Sequence, residues 1–135
     1  MLGFGQWVEK QVQLAHSLNI PRHELPQIRS FNVPDYLNWL HSEHHVISHK
    51  ETVEASHLKP LQAAIETDRV HAMNPGQSAE KPMVVSKDNY ILDGHHRWYQ
   101  AQLTGEKLNV IRVNVGMKDL LRITKGYPKV EYHKL

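Results

Sequence analysis

The sequence predicts an α+β protein, a small mixed sheet with helices surrounding it, and three observations predict it. Leu108 to Val115 is β-branched and alternating, the strongest strand pattern in the chain. The runs Pro82–Ser86 and Tyr90–Leu92 flank Lys87-Asp88-Asn89, which reads as a hairpin with a three-residue turn. Between and before these strands lie segments whose apolar residues recur every three or four positions, the rhythm of helices that bury one face.

Taken in order, Phe4, Trp7, Val8, Val12, Ala15 and Leu18 predict an amphipathic helix over Phe4 to Leu18. Ile20 to Ile28 holds Pro21 and Pro26, each of which pushes its predecessor toward extended geometry, so this is an extended connector. Asn32 is placed to cap a second helix over Val33 to His45, with Pro34 in its first turn and Val33, Leu37 and Leu40 on the buried side. If that helix ran on, His41, His45 and His49 would share one face, a geometry suited to a metal, against the plainer reading of a solvated polar face.

Thr52 to Ala55 predicts a short strand, and Leu61, Ala64, Ile65, Val70 and Met73 a short irregular helix. Asn74 to Ser78 is a loop by its turn residues. A helix from Gly94 to Leu103 ends where Gly105 supplies a left-handed cap, and Met117 to Ile123 is the last helix. Residues 1–50 are thus expected to form a helical extension packed on the domain, 51–126 the domain proper, and 127–135 a C-terminal arm that packs extended or frays.

At 135 residues the chain fits one domain able to bury a core without staples. Hydrophobic content of 40% and charged content of 22% are those of an ordinary globular chain, and no apolar run approaches the roughly 20 residues of a membrane span. The start, Met1 to Gly5, lacks a secretory pattern, so a cytoplasmic location is expected. The absence of cysteine excludes disulfides, thiolate metal sites and thiol nucleophiles, leaving oxygen and nitrogen groups for any chemistry. A net charge of +2 falls short of the dense basic stripe of an autonomous nucleic-acid binder.

The chemistry concentrates in Tyr90-Ile91-Leu92-Asp93-Gly94-His95-His96-Arg97-Trp98, where a strand feeds a charged turn that opens a helix. A helix start presents unpaired amides and partial positive charge, so it receives anions. Asp93 either caps the helix by accepting from the His95 or His96 amide, or faces a cleft and holds a divalent cation or takes a proton. Gly94 lets the chain turn and a ligand approach the backbone. Arg97 offers a planar fork to phosphate, and one of the two histidines is a phosphate donor while the other packs. Trp98 and Ala101 lie on one stripe and belong to the core.

The motif Leu92-Asp93-Gly94-His95-His96-Arg97, with its hairpin before and its Val/Ile-rich strand after, resembles the ParB/sulfiredoxin-like superfamily over roughly Thr52 to Val115. Ile20-Pro21-Arg22, Leu25-Pro26-Gln27-Ile28 and Leu58-Lys59-Pro60-Leu61-Gln62 look like the small phage-encoded proteins labelled ParB-like nuclease domain. The resemblance implies that Gly94, His95, His96 and Arg97 bind nucleotide phosphates. Sulfiredoxins place their reactive cysteine where this chain has His95, so sulfinic acid reduction is excluded. Partition ParB proteins add a helix-turn-helix reader, for which the twenty or so residues after Val115 leave no room.

Free-serine kinases of this superfamily share Asp-Gly-His-His-Arg, which implies Asp93 and His95 near the transfer chemistry. Their upstream glutamate base corresponds here to Gln62, which cannot take a proton; Glu54 or Glu66 are the available substitutes. The leading expectation is a nucleotide phosphate-binding protein that hydrolyses or transfers phosphate with Mg2+ and ATP, ADP or CTP, the metal on Asp93. The alternatives are a ParB-like nuclease or nucleic-acid-binding domain, and a phage accessory protein acting on a host protein. A homodimer is open, and a membrane partner is not expected.

Overall fold

The computed structural model describes residues 11–14, 16–62, 64–66 and 82–133, with 11–13 and 64–66 described in backbone only. It is an α+β protein. A three-stranded sheet is built from β2 (Ser48–Glu54), β4 (Met83–Val85) and β5 (Lys107–Val113) in the order β2-β5-β4. β2 runs antiparallel to β5 and β4 parallel to it. The parallel pair is joined through helix α2 (His95–Thr104), as a parallel pair requires a crossover. β1 (Gln11–Gln13) and β3 (Ala64–Glu66) form a separate antiparallel ribbon. Helices α1 (Val33–His44) and α3 (Met117–Thr124) complete the described elements. No helix among the described residues is long and apolar enough to cross a membrane.

The pleat of β4 explains the core. Its three residues are all buried, and they alternate between two clusters. Val84 joins Val113, Tyr36, Leu40, Met117 and Leu120 in one; Met83 and Val85 join Val110, Leu108, Trp98 and Ala101 in the other. The sheet therefore separates α1 and α3 from α2. Beyond β4 the sheet continues as single bridges, Val85 to Ile91 and Tyr90 to Lys59. The expected hairpin is there: Ser86 N–H donates to Tyr90 O and Leu92 N–H to Val84 O. Asn89 turns the chain at φ 72.

Two expected helices are corrected. Gln11–Gln13, inside the expected Phe4 to Leu18 helix, is strand β1, and Ala64–Glu66, inside the expected helix after Leu61, is its partner β3. Both segments are short and carry polar-apolar-polar or apolar-rich triplets that satisfy a period of two as well as one of 3.6, and pairing with each other satisfies both backbones. Residues 4–10 and 67–81, including the expected loop at Asn74 to Ser78, lie outside the described residues.

The histidine face is corrected too. α1 ends at His44, and His45 takes the left-handed conformation at φ 57. The His45 amide donates to His41 O and the Val46 amide to Leu40 O at 3.1 Å, the doubly bonded stop that usually recruits glycine. His49 then sits in β2 beside Glu51 at 3.1 Å, away from the helix face. No group of three metal-ligating side chains occurs among the described residues.

Asn32 stands at the N-cap of α1 but makes no side-chain cap bond. Tyr36, fully buried and bonded to Thr124 Oγ1 at 2.7 Å, anchors the helix where the periodicity pointed to the half-buried Leu37. In the C-terminal arm, Val130 N–H donates to Tyr127 O at 3.2 Å and closes a turn over residues 127–130, Gln27 and Glu131 exchange backbone bonds of 2.8 and 3.0 Å, and Tyr127 OH donates to Asp35 at 2.6 Å.

Candidate functional site

The Asp93–Arg97 turn sits where three segments converge. Lys59 lies beside the hairpin, its N–H donating to Asn89 O and its O accepting from Ile91 N–H. Two residues on, the Leu61 amide donates to His95 Nε2 at 2.9 Å. His95 is 5% exposed, and with its Nε2 accepting, the ring is neutral with its proton on Nδ1. Burial first, and the neighbouring His96 second, drop its pKa to about 3. His95 therefore binds the Leu58–Gln62 segment to the start of α2 and holds Gln62 next to that start.

Gly94 is the N-cap of α2 at φ 89, in the left-handed region. A side chain there would also meet Met83, whose terminal methyl lies 3.2 Å from where a Cβ would stand. Asp93 turns its Oδ1 onto the Gly94 N–H, which donates to it at 2.7 Å. The N-cap position itself, a glycine, has no side chain to offer the first amides of α2. No acid lies in its first turn, whereas α1 has Asp35 and α3 has Asp119 there.

Arg97 is drawn inward. It is 6% exposed and lines a cavity of about 40 Å³ with Gln100, Glu106, Lys107 and Asn109, between α2 and the start of β5. Burial lowers its pKa, and the negative charge of Asp93, one helical turn back, opposes that loss. Trp98 and Ala101 are core as expected, the indole N–H donating to Ala55 O at 2.8 Å.

No family model, curated protein or solved structure matches this chain. The site is therefore argued from its own residues. Asp93, Gly94 and His96 are half-buried at the mouth of the turn; His95 and Arg97 are enclosed behind it. Glu54, at the last position of β2, directs its carboxylate toward His57 at 3.7 Å. Of Glu66 only the backbone is described. One neighbour went unforeseen in the sequence: Lys59, whose ammonium stands 4.4 Å over the Tyr90 ring. Its signal was the Lys59-Pro60 pair, since proline forces the extended backbone that lays Lys59 against the hairpin.

A single carboxylate fits a Mg2+ that arrives on a nucleotide, because such an ion keeps water and phosphate oxygens as most of its ligands. Asp93 can supply that one contact; the described residues offer no cage of three for a resident ion.

Proposed function

We propose that this chain is a nucleotide phosphate-binding protein of the ParB/sulfiredoxin-like kind, and that it hydrolyses or transfers phosphate with Mg2+ at the Asp93–Arg97 turn, in the cytoplasm. The observation that carries the reading is the start of α2, the one α-helix among the described residues that begins on a left-handed residue and has no acid in its first turn. In this reading Gly94 admits the phosphate to the backbone amides, which carry the positive end of the helix dipole. His96 donates to a phosphate oxygen, and Asp93 holds the Mg2+. Arg97 supplies positive charge from behind the turn, and His95 positions Gln62. Phosphoryl transfer relies on placement and charge neutralisation, which a turn of this size can supply.

The test is thermal stability with ATP, ADP and CTP, each with and without Mg2+, and with a short DNA duplex. A nucleotide at one hundred times its dissociation constant stabilises by about 2.7 kcal/mol. The Asp93→Asn variant should lose the Mg2+-dependent part of the shift, and His96→Ala most of it. A shift with the duplex and none with any nucleotide would reject the proposal in favour of a nucleic-acid-binding domain.

A further inference from the structure

We infer that β2 is a self-recognition edge, through which two copies of this chain pair antiparallel and extend their sheets into one. The inference concerns the opposite edge of the sheet from the hairpin and does not rest on the proposed nucleotide site.

The sheet order β2-β5-β4 leaves β2 with one partner among the described residues, whereas β4 is followed by the Tyr90–Leu92 and Lys59 bridges. The phase of β2 follows from one bond. The Asn114 amide donates to Ile47 O at 2.9 Å, and these two residues continue the register in which Ser48 faces Val113. In an antiparallel ladder hydrogen-bonded and non-bonded pairs alternate. His49, Glu51 and Val53 therefore direct their backbone groups at β5, and Ser48, Lys50, Thr52 and Glu54 direct theirs outward. The Thr52 hydroxyl bond to Asn109 across the pair, at 2.9 Å, fits the closer side-chain approach of a non-bonded position. Lys50, Thr52 and Glu54 are exposed.

Only registers that set outward residues opposite outward residues can form bonds, and three of them overlap along five residues or more. Centred on Lys50, the pairing sets Lys50 against its own copy. Centred on Glu51, it sets Glu51 against its own copy. Centred on Thr52, it sets Thr52 against Thr52 and Lys50 against Glu54 twice, once on each side of the two-fold axis. Threonine pairs and opposite charges across strands stabilise, and like charges directly opposite destabilise. Lys50 against Lys50 disfavours the first register; the second offers no opposite-charge pair, its Glu51 being already engaged by Arg112 at 2.6 Å; the third alone matches opposite charges, with about six new backbone bonds along an isologous interface. Lys50 has no ion pair among the described residues, and Glu54 makes only its long, exposed contact with His57. The exposed Ile47 side chain continues the same edge beyond Ser48.

The test is sedimentation of the full chain across a concentration series, with circular dichroism confirming that each variant is folded. The wild type is expected to be a concentration-dependent dimer. Lys50→Glu should raise the dissociation constant about tenfold or more by placing like charges opposite at both symmetry-related pairs. The charge-swapped double variant, Lys50→Glu with Glu54→Lys, should return it to near the wild-type value. Thr52→Pro, which removes an outward N–H, should leave a folded monomer. A wild type that stays monomeric at every concentration would overturn the inference. So would a dimer indifferent to Lys50→Glu and Thr52→Pro, or one that the charge swap fails to restore.

Discussion

Two helices of this molecule begin just after a glycine, and their starts are treated in opposite ways. At α3, Gly116 has ordinary extended geometry, φ −68 and ψ 156, and the Met117 amide is taken by Asp88 Oδ1 at 3.0 Å. Asp88 comes from the hairpin turn, where it also accepts from the Ser86 hydroxyl, so one carboxylate closes the helix start and locks the turn to it. At α2, Gly94 is left-handed, and the adjacent Asp93 bonds the Gly94 amide. The first turn of α3 carries its own Asp119 and meets Asp88 from the hairpin, whereas the first turn of α2 carries no acid. A helix start becomes a candidate anion site where its own first turn brings no negative charge.

The largest effect that can break this comparison is Gly94→Ala. The left-handed φ and the Met83 methyl at 3.2 Å both oppose a side chain, and the expected loss in a urea unfolding curve is about 1–3 kcal/mol. A loss no larger than that of Gly116→Ala would mean the two starts are not conformationally different.

Acid titration gives the next effect. His95 has an ordinary pKa of 6.5 when unfolded and about 3 when folded. The unfolded chain therefore binds the proton first as pH falls. The stabilising contribution is complete above about 6.5 and is lost progressively down to about 3. Between pH 6 and 4.5 the wild type should lose about 2 kcal/mol more than His95→Gln, whose amide oxygen can still accept from Leu61. Equal losses in the two proteins would show that the ring is not held neutral.

Asp88→Ala removes the α3 cap and should cost about 1 kcal/mol while leaving any nucleotide-induced shift in melting temperature intact. If that variant abolished the nucleotide shift, the ligand would be at α3 and not at α2. Gly116→Ala is the smallest: its conformation is open to any residue and the nearest atom is Asp88 Oδ2 at 3.8 Å, so the melting temperature should shift by less than the equivalent of about 0.5 kcal/mol.

How much of this was legible in the sequence follows the physics of each signal. The hairpin, β5, α2 and α3 were readable because long alternation, turn residues and Gly105 all act locally. The β1-β3 ribbon was not, since pairing between residues more than fifty positions apart leaves no local mark in triplets as short as Gln11–Gln13. The stop of α1 was misplaced by one residue because histidine at His45 does the work that glycine would have announced. At the site, the residues of the turn were legible as a group, but their division was not. That His95 faces inward depends on Leu61 arriving from thirty-four residues earlier in the chain. Arg97 is buried because β5 begins beside it.

The bond between the Leu61 amide and the His95 ring also makes one proton a reporter. An amide held at 2.9 Å by a buried ring exchanges with solvent deuterium only when the segment lifts away from α2, and its exchange rate measures that local opening separately from global unfolding. Slow exchange at Leu61, set against the exposed turn residue Asp88, would time how often the Leu58–Gln62 segment uncovers the helix start.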